Sequence, residues 1–585
     1  MSEFEYLENL EDGATKKFVS EVNNEVRGRL GGRAQKHFGS LLERLKGEVP
    51  VSVVGLGEGY AVLYRSQGGG FVDMPNSRIS SGSSGEIFHS LGRVWNADML
   101  CVGVGLNGSD EGYSILADAS GVVKLRLEGL VKDFFYFNGE LFYVRAYRRG
   151  VSPDGVSPPV ERVLCGDRVV PLYPERGESL SVKASGGLVS VVRSRGWSNQ
   201  KLYLAERLDS ADDFNKMDEG KIVSFDIVDG KVYYVKDNTV MCGGQPLFGL
   251  ENPVVSARFT PSGVVVEEIR DYRTTLTMYT YTGEVSWRYS GANIYSFDVV
   301  GDKVVALESS FNTQYTILKI GEGVPTVMGK GRVENIRADD LYLKSDVLLH
   351  GFLLSRGGSR GVVVYGYGGF SVPVLPTYNP LFCELVDAGF SVLVTNLRGG
   401  SENGEEWHRQ GMLRNKHNVF KDYAAFLTLV KNLGSKTVCM GASNGGLLVG
   451  ATLNSHPEKV DCAVIGYPVL DMLNYHRFLA GLYWVYEYGN PEGQDREYLA
   501  SYSPYHNLRG GLPPVFVYTG LNDDRVHPMH ALKYAAKSKS LGNNVLLHVN
   551  ARSGHNLSDP EPKAEEMSYI VAFIELQLNP VGQSN

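Results

Sequence analysis

The chain divides into a helical arm, an all-β domain and a doubly wound α/β domain, and changes of texture along its 585 residues predict this. Between residues 47 and 323, short β-prone runs recur between Asn-Gly, Asp-Gly and Ser-Gly pairs, with almost no long helical periodicity. Such pairs join hairpins because type I′ turns need positive φ at both central residues. From 324 to 585, strongly apolar strands alternate with helical segments. Continuous apolar strands with crossover helices make a mostly parallel sheet covered on both faces. Length alone calls for more than one core.

The composition narrows the class. Hydrophobic content of 43% and charged content of 21% are ordinary for a globular protein. A net charge of −8, with no basic stretch to offset it, argues against nucleic acid as a partner. The start, Met1-Ser2-Glu3-Phe4-Glu5-Tyr6, is acidic and lacks the apolar segment of a signal peptide. No apolar run approaches bilayer-spanning length. The expectations are a cytoplasmic protein with no membrane partner and, since the sequence is silent on assembly, a monomer by default. Cys101, Cys165, Cys242, Cys383, Cys439 and Cys462 are scattered without a Cys-x-x-Cys pair, so free thiols are expected, with no metal and no cofactor.

The arm, 1–46, opens a helix at Asp12-Gly13-Ala14-Thr15 that runs to about Leu30 and packs on something distant in sequence. In 47–323, Phe135-Tyr136-Phe137-Asn138-Gly139-Glu140-Leu141-Phe142 and Ile227-Val228-Asp229-Gly230-Lys231-Val232 are hairpin signatures. Many short strands at regular spacing suit a β-propeller, with two packed sandwiches as the alternative. No WD or kelch marker is present, so spacing does not count the blades. In 324–585, strands are expected near 361–365, 391–395, 437–440, 462–465, 515–518 and 545–549. Helices are expected near 419–431, 446–455, 528–541 and 563–578. Reacting groups in such a sheet come from loops at the strands' carboxyl ends.

One stretch organises the rest. Thr437-Val438-Cys439-Met440-Gly441-Ala442-Ser443-Asn444-Gly445-Gly446 reads as strand, Gly-x-Ser-x-Gly turn and helix, the setting in which a serine becomes a nucleophile on an α/β-hydrolase sheet. A second match, Gly357-Gly358-Ser359-Arg360-Gly361, lies between two apolar runs with no helix after it and reads as a hairpin turn. A base must take the serine proton, and a carboxylate must hold that base. The acid belongs after the strand Val515-Phe516-Val517-Tyr518-Thr519-Gly520, where spacing does not choose between Asp523 and Asp524. His555, on the loop before the last helix, is preferred as base over His548, His527 and His530. For an oxyanion, the Asn444 N–H supplies one donor. Gly366-Tyr367-Gly368-Gly369-Phe370 supplies the second through the Tyr367 phenol, a plain glycine turn being the alternative.

These residues resemble the prolyl oligopeptidase family of serine peptidases. Gly441-Ala442-Ser443-Asn444-Gly445-Gly446-Leu447-Leu448-Val449 is similar to its nucleophile motif, and the Asn and Leu-Leu-Val set it apart from the acylaminoacyl-peptidase, dipeptidyl-peptidase and oligopeptidase B branches. Tyr365-Gly366-Tyr367-Gly368-Gly369-Phe370, Asn396-Leu397-Arg398-Gly399-Gly400, Trp407-His408, Asp523-Asp524-Arg525-Val526 and Ser553-Gly554-His555 resemble further blocks, and Glu5-Tyr6-Leu7-Glu8 resembles the family's N-terminal arm. The resemblance implies a seven-bladed propeller capping the site, the first Asp, Asp523, as triad acid, and Arg525 holding a substrate carbonyl. It implies an endopeptidase that cleaves short peptides after proline through an acyl-enzyme and excludes folded proteins. Phe370, Tyr498, Tyr502, Val526 and Trp484 are the expected lining of the proline pocket, with Tyr502 and Trp484 alternatively plain core residues. Two departures stand out: Tyr498 lies where the family usually has Trp, and the arm lacks the usual Asp-Pro. The competing readings are an acylaminoacyl peptidase or oligopeptidase B-like enzyme, an esterase, and a non-catalytic propeller scaffold.

Overall fold

The computed structural model describes residues 3–82, 85–555 and 559–578, so Met1 and Ser2 of the acidic start lie outside the described residues. The Asn-Gly and Asp-Gly pairs do form tight hairpins. Leu130–Phe137 pairs antiparallel with Glu140–Tyr147, and Ile222–Val228 with Lys231–Lys236. The turn residues Asn138 and Gly139 have φ of 50° and 83°, and Asp229 and Gly230 have φ of 49° and 73°. Seven four-stranded sheets follow one another from Val49 to Lys330. Each is one contiguous stretch of chain and packs face to face on the next, making a seven-bladed propeller.

Among the described residues no blade borrows a strand from the far end of the chain, so the ring closes by packing instead of by a shared sheet. Val53 and Val62 of the first blade meet Val305, Leu307 and Ile317 of the seventh. The Val53 N–H donates to Ser296 Oγ at 3.0 Å, the Gly55 N–H to Asp298 Oδ2 at 2.7 Å, and the Tyr295 hydroxyl to the Pro50 carbonyl at 3.0 Å.

The boundary expected at 323/324 moves. Val324–Lys330 is the outermost strand of the seventh blade, and the second sheet starts at Arg337. That sheet has eight strands in the order Arg337–Lys344, Leu348–Ser355, Ser391–Asn396, Val362–Tyr365, Thr437–Ala442, Cys462–Gly466, Val515–Gly520, Val545–Asn550. The first two run antiparallel to their neighbours and the rest are parallel. Ser359 is therefore not in a hairpin: the strands before and after it are separated in the sheet by Ser391–Asn396. Its hydroxyl donates to the Gly361 carbonyl at 2.6 Å and accepts from the Ser391 N–H at 3.1 Å, which is a loop-bracing role.

Val515, Val517, Val545 and Leu547 bury one face on the side of the helix Met529–Ser540, while Phe516, Leu546 and Val464 face Pro560–Leu578. This alternation, in strands buried throughout, is the signature of a sheet covered on both sides.

The N-terminal helix runs Gly13–Leu45, past the expected end near Leu30. Asp12 caps it, accepting from the Ala14 and Thr15 N–H groups. Val22, Val26, Leu30, Ala34, His37 and Leu41 form its buried seam at i, i+3 and i+4 spacing. Fully burying one such Val or Leu is worth about 1.5–3 kcal/mol, and the seam carries the helix through Gly31 and Gly32. Asn23 also takes both backbone groups of Val549, at 2.8 and 2.9 Å, and so covers the free edge of the sheet.

Near its end the arm is pinned by charge. His37 Nδ1 lies 2.8 Å from Glu384 and Nε2 3.3 Å from Glu575, and Arg44 pairs with Glu334, Glu384 and Asp387. Burial alone pushes the His37 pKa down, but the two carboxylates outweigh it and lift the pKa to about 9. A group with a folded pKa above its unfolded value near 6.5 contributes stability fully below that value and loses it as pH rises through the folded pKa. The melting temperature is therefore expected to fall as pH rises from 6.5 to 9, and His37→Asn should flatten that slope in a thermal-melt series. An unchanged slope would remove His37 as its source.

Candidate active site

Ser443 stands between the strand Thr437–Ala442 and the helix Asn444–Ser455 with φ 58° and ψ −118°, a strained pair for a residue with a side chain. Close approach explains its glycine neighbours. A Cβ on Gly441 would come within 2.3 Å of the Gly445 carbonyl oxygen, and one on Gly445 within 2.4 Å of the Gly366 carbonyl oxygen. The Ser443 N–H is tied to the Gly466 carbonyl at 2.8 Å, so the turn is fixed from the next strand.

The structure brings most of the expected residues together. Ser443, Tyr367, Arg525 and His555 border one cavity of about 520 Å³, with Tyr467 and Tyr518 on its wall. His555 Nδ1 is 2.7 Å from Asp523 Oδ2. An ionised carboxylate only accepts, so Nδ1 carries the proton and Nε2 is the nitrogen that can take one from an alcohol. The second oxygen of Asp523 accepts the Arg525 and Val526 N–H groups, both at 2.9 Å. Val526 is thereby part of the turn that sets the carboxylate.

Geometry separates the two acids that spacing left open. Asp524 faces the propeller: it accepts from the Ser109 hydroxyl at 2.8 Å and the Glu111 N–H at 3.2 Å, and lies 3.1 Å from Arg148. The other histidines are engaged elsewhere. His548 sits in the strand Val545–Asn550 against Tyr569, and His530 Nδ1 accepts the Leu470 and Asp471 N–H groups. Burial lowers the pKa of His527 to about 4 and that of His530 to about 3.

Asn444 opens its helix, where backbone N–H groups lack intrahelical partners. Its side chain donates to the Tyr367 carbonyl at 2.6 Å. Burial pushes the Tyr367 phenol well above its ordinary pKa, so it stays a neutral O–H donor. Arg525 borders the cavity while its guanidinium pairs with Asp110 of the second blade at 2.6 and 2.7 Å. The hairpin tip before Asp110 meets both loops: the amide of Asn522, beside Asp523, donates to the Asn107 carbonyl at 2.6 Å, and Gly554, beside His555, lies so close to the Gly108 carbonyl that any Cβ would collide.

An aromatic nest adjoins Asn444. Phe370 meets Tyr488 at 5.2 Å and Trp484 at 6.5 Å between ring centroids, and Trp197 of the fourth blade closes over it at 4.7 Å. The Tyr488 hydroxyl donates to Asn444 Oδ1 at 3.0 Å. Of the residues expected to line a proline pocket, Phe370, Trp484, Tyr498, Tyr502 and Val526, none is among those that border the Ser443 cavity. The helix Arg496–Tyr502 turns Tyr498 and Tyr502 onto His417 and, for Tyr502, Phe420. Tyr502 lines a different cavity with His417, Phe420 and Lys421. Trp484 supplies the indole of the nest. Sequence reasoning passed over Trp197, Asp110 and Tyr488, and only the Asn107-Gly108 turn signal pointed near one of them.

Among the described residues no cluster of His, Cys, Asp or Glu suits a metal ion, no cysteine is bridged, and no helix is long and apolar enough to cross a membrane.

Residues 378–580 match the Prolyl oligopeptidase family. A prolyl endopeptidase of Elizabethkingia miricola is 38% identical over 213 residues, which is 34% of this chain and 30% of that protein. The chain's match thus spans under a third of the length of that curated relative. In structure, a chain from a study of two prolyl endopeptidases superposes with a TM-score of 0.88 at 22% identity, covering 98% of this chain and 96% of that one. Oligopeptidase B from Leishmania major superposes with a TM-score of 0.78 at 17% identity, covering 97% of this chain and 92% of that one. These likenesses establish the shared two-domain fold.

Proposed function

Taking residues 378–580 as belonging to the prolyl oligopeptidase family, we propose that the chain is a serine endopeptidase that cleaves short peptides on the carboxyl side of proline. Ser443 adds to the scissile carbonyl carbon while His555 takes its proton. The tetrahedral intermediate collapses, the amine leaves with that proton, and the acyl-enzyme remains. Water, deprotonated by His555, then releases the peptide acid and restores Ser443. Asp523 holds His555 in the working tautomer. The Asn444 N–H and Tyr367 hydroxyl carry the oxyanion. Arg525 presents a fork of donors to a peptide carbonyl.

The observation that carries the reading is the Asp523–His555 pair on the wall of the cavity that holds Ser443. Phe370 and Trp484, 6.5 Å apart between ring centroids, are the aromatic surfaces assigned to the proline ring, because a rigid ring against aromatic faces loses little entropy on binding. Glu487, which touches the aromatic nest, is already paired with Lys416 and His408, so a basic side chain would find no unmatched carboxylate in it.

The test is a set of chromogenic peptides varied only at the residue before the cut (proline, acetylated alanine, arginine), with Ser443→Ala as control. Proline should be preferred. A preference for arginine or acetylalanine would move the chain to another branch, and ester hydrolysis without peptide hydrolysis would end the peptidase reading. Trp484→Ala should lower the preference for proline about tenfold, while Tyr498→Ala should leave it unchanged; the reverse pattern would restore Tyr498 as the ring platform. The propeller would act as a filter: a proline peptide should be cut when free and spared inside a folded domain. Equal rates on both would remove the filter.

A further inference from the structure

The loop that carries Tyr367 holds a conformation it would not keep alone. Phe370 and Ser371 have φ of 61° and 55°, a region that strains residues with side chains. Beneath it lie three ionisable side chains, none more than 1% exposed: Glu487, Lys416 and His408. Glu487 Oε1 accepts the Phe370 N–H at 3.0 Å. Lys416 Nζ donates to the Gly368 carbonyl at 3.0 Å and lies 3.3 Å from that same Glu487 oxygen. Glu487 Oε2 meets His408 Nε2 at 2.9 Å. The next residue, Tyr488, braces the other half of the site through Asn444 Oδ1, while Asn444 Nδ2 holds the Tyr367 carbonyl. A Cβ on Gly369 would come within 2.6 Å of Asn444 Nδ2 and 2.9 Å of Lys416 Nζ, so the loop has no slack.

Buried ion groups are a poor way to gain stability, since an apolar filling of the same shape usually does as well or better. Their position under one strained loop gives them another use. We propose that Glu487 is a positioning residue for hydrolysis. Its carboxylate fixes the segment from Gly368 to Phe370 so that the Tyr367 hydroxyl and the Asn444 N–H stay aimed at one oxygen, with Lys416 and His408 as its standing partners. This rests on the reading of Tyr367 and Asn444 as oxyanion donors. The chain of charges continues to the propeller: His408 Nδ1 is 3.8 Å from Glu405, and Glu405 is held by Ser198 and, at 2.5 Å, by Lys221. Lys221 also lies 3.5 Å from Ser371 Oγ. The seat of the fourth and fifth blades therefore bears on the same loop.

Glu487→Gln keeps the size of the side chain and removes its charge. We expect kcat per fluorophosphonate-reactive site to fall about 10- to 50-fold on both an amide and an ester substrate, with KM within about twofold. Binding of a peptide aldehyde should weaken by a similar factor, because the hemiacetal formed when the Ser443 oxygen adds to the aldehyde carbon needs the same donors. In a Tyr367→Phe background the substitution should cost clearly less than in the wild type, since only the Asn444 N–H is left for it to aim. A wild-type kcat per reactive site, or a fully multiplicative loss in the double variant, overturns the proposal. If Tyr367→Phe alone leaves kcat unchanged, the oxyanion reading fails; if it lowers kcat while Glu487→Gln does not, only the positioning role fails. Should Glu487→Gln not fold, Glu405→Gln serves in its place: a lowered kcat per site with unchanged KM supports the proposal, and a wild-type kcat overturns it.

Discussion

Asp523→Asn should lower kcat by about 10⁴-fold on a peptidyl-proline amide, whereas Asp524→Asn should change it less than about tenfold. The expectation comes from which oxygen of Asp523 does what. Oδ1 accepts the Arg525 and Val526 N–H groups, and Oδ2 faces His555 Nδ1. An asparagine keeps its oxygen on the two backbone N–H groups, so its NH₂ turns toward the imidazole. That group donates into Nδ1, forces the ring proton onto Nε2, and leaves no acceptor for the Ser443 proton. The fold is untouched by this exchange, and the melting temperature should hardly move. Asp524 sits among Ser109, Glu111 and Arg148 on the propeller side, where its loss would loosen a domain contact and leave the imidazole alone. Steady-state rates on the two variants, with circular-dichroism melts alongside, decide the matter. Equal losses would mean that the interdomain contact, not the tautomer, governs the rate.

That the two adjacent acids could be separated only in three dimensions shows how far the sequence is legible. Local rules located what local physics determines. Asn138-Gly139 and Asp229-Gly230 must turn as they do because few other pairs tolerate positive φ twice. The elbow at Ser443 is demanded by glycines that can have no Cβ. Blade number was invisible because it is set by packing between sheets, and the contacts that close the ring join Val53 to Val305 across the whole domain. The strand Val324–Lys330 was assigned to the wrong domain for a related reason. Val324, Val327 and Met328 are apolar like the strands of the second domain, yet they are exposed on a blade's outer edge. The helix expected to end near Leu30 continues to Leu45, because tertiary burial of Leu30, Ala34 and Leu41 outweighs the local cost of Gly31-Gly32. The helix Pro380–Asp387 went unforeseen although Asn379 caps it and Pro380 starts it, signals that were there to be read. Tyr498 is expected in the pocket from the resemblance alone, and no local rule says which way its helix turns it. Helix phase sends it to His417, while Phe370 meets Trp484 and, from another domain, Trp197.

Tyr367→Phe should lower kcat by about 10²- to 10³-fold while KM stays within about twofold, the effect of losing one donor that acts only on the developing oxyanion. Three features make the substitution a clean one. The ring stays, so the wall of the cavity keeps its shape. The backbone of residue 367 is held by the Asn444 side chain through its carbonyl, which the change does not touch. The hydroxyl is neutral at any working pH because burial raises its pKa, so its loss removes a hydrogen bond and no charge. The pH profile of kcat should therefore keep its shape and move only in height. The remaining donor, the Asn444 N–H, belongs to the backbone and sets a floor under the loss. An aldehyde that binds as a hemiacetal should lose affinity in parallel with kcat, and a peptide product should not. A loss in KM with kcat preserved would instead place the Tyr367 hydroxyl on the ground-state substrate, and the second donor would then have to be sought elsewhere on the loop from Gly366 to Phe370.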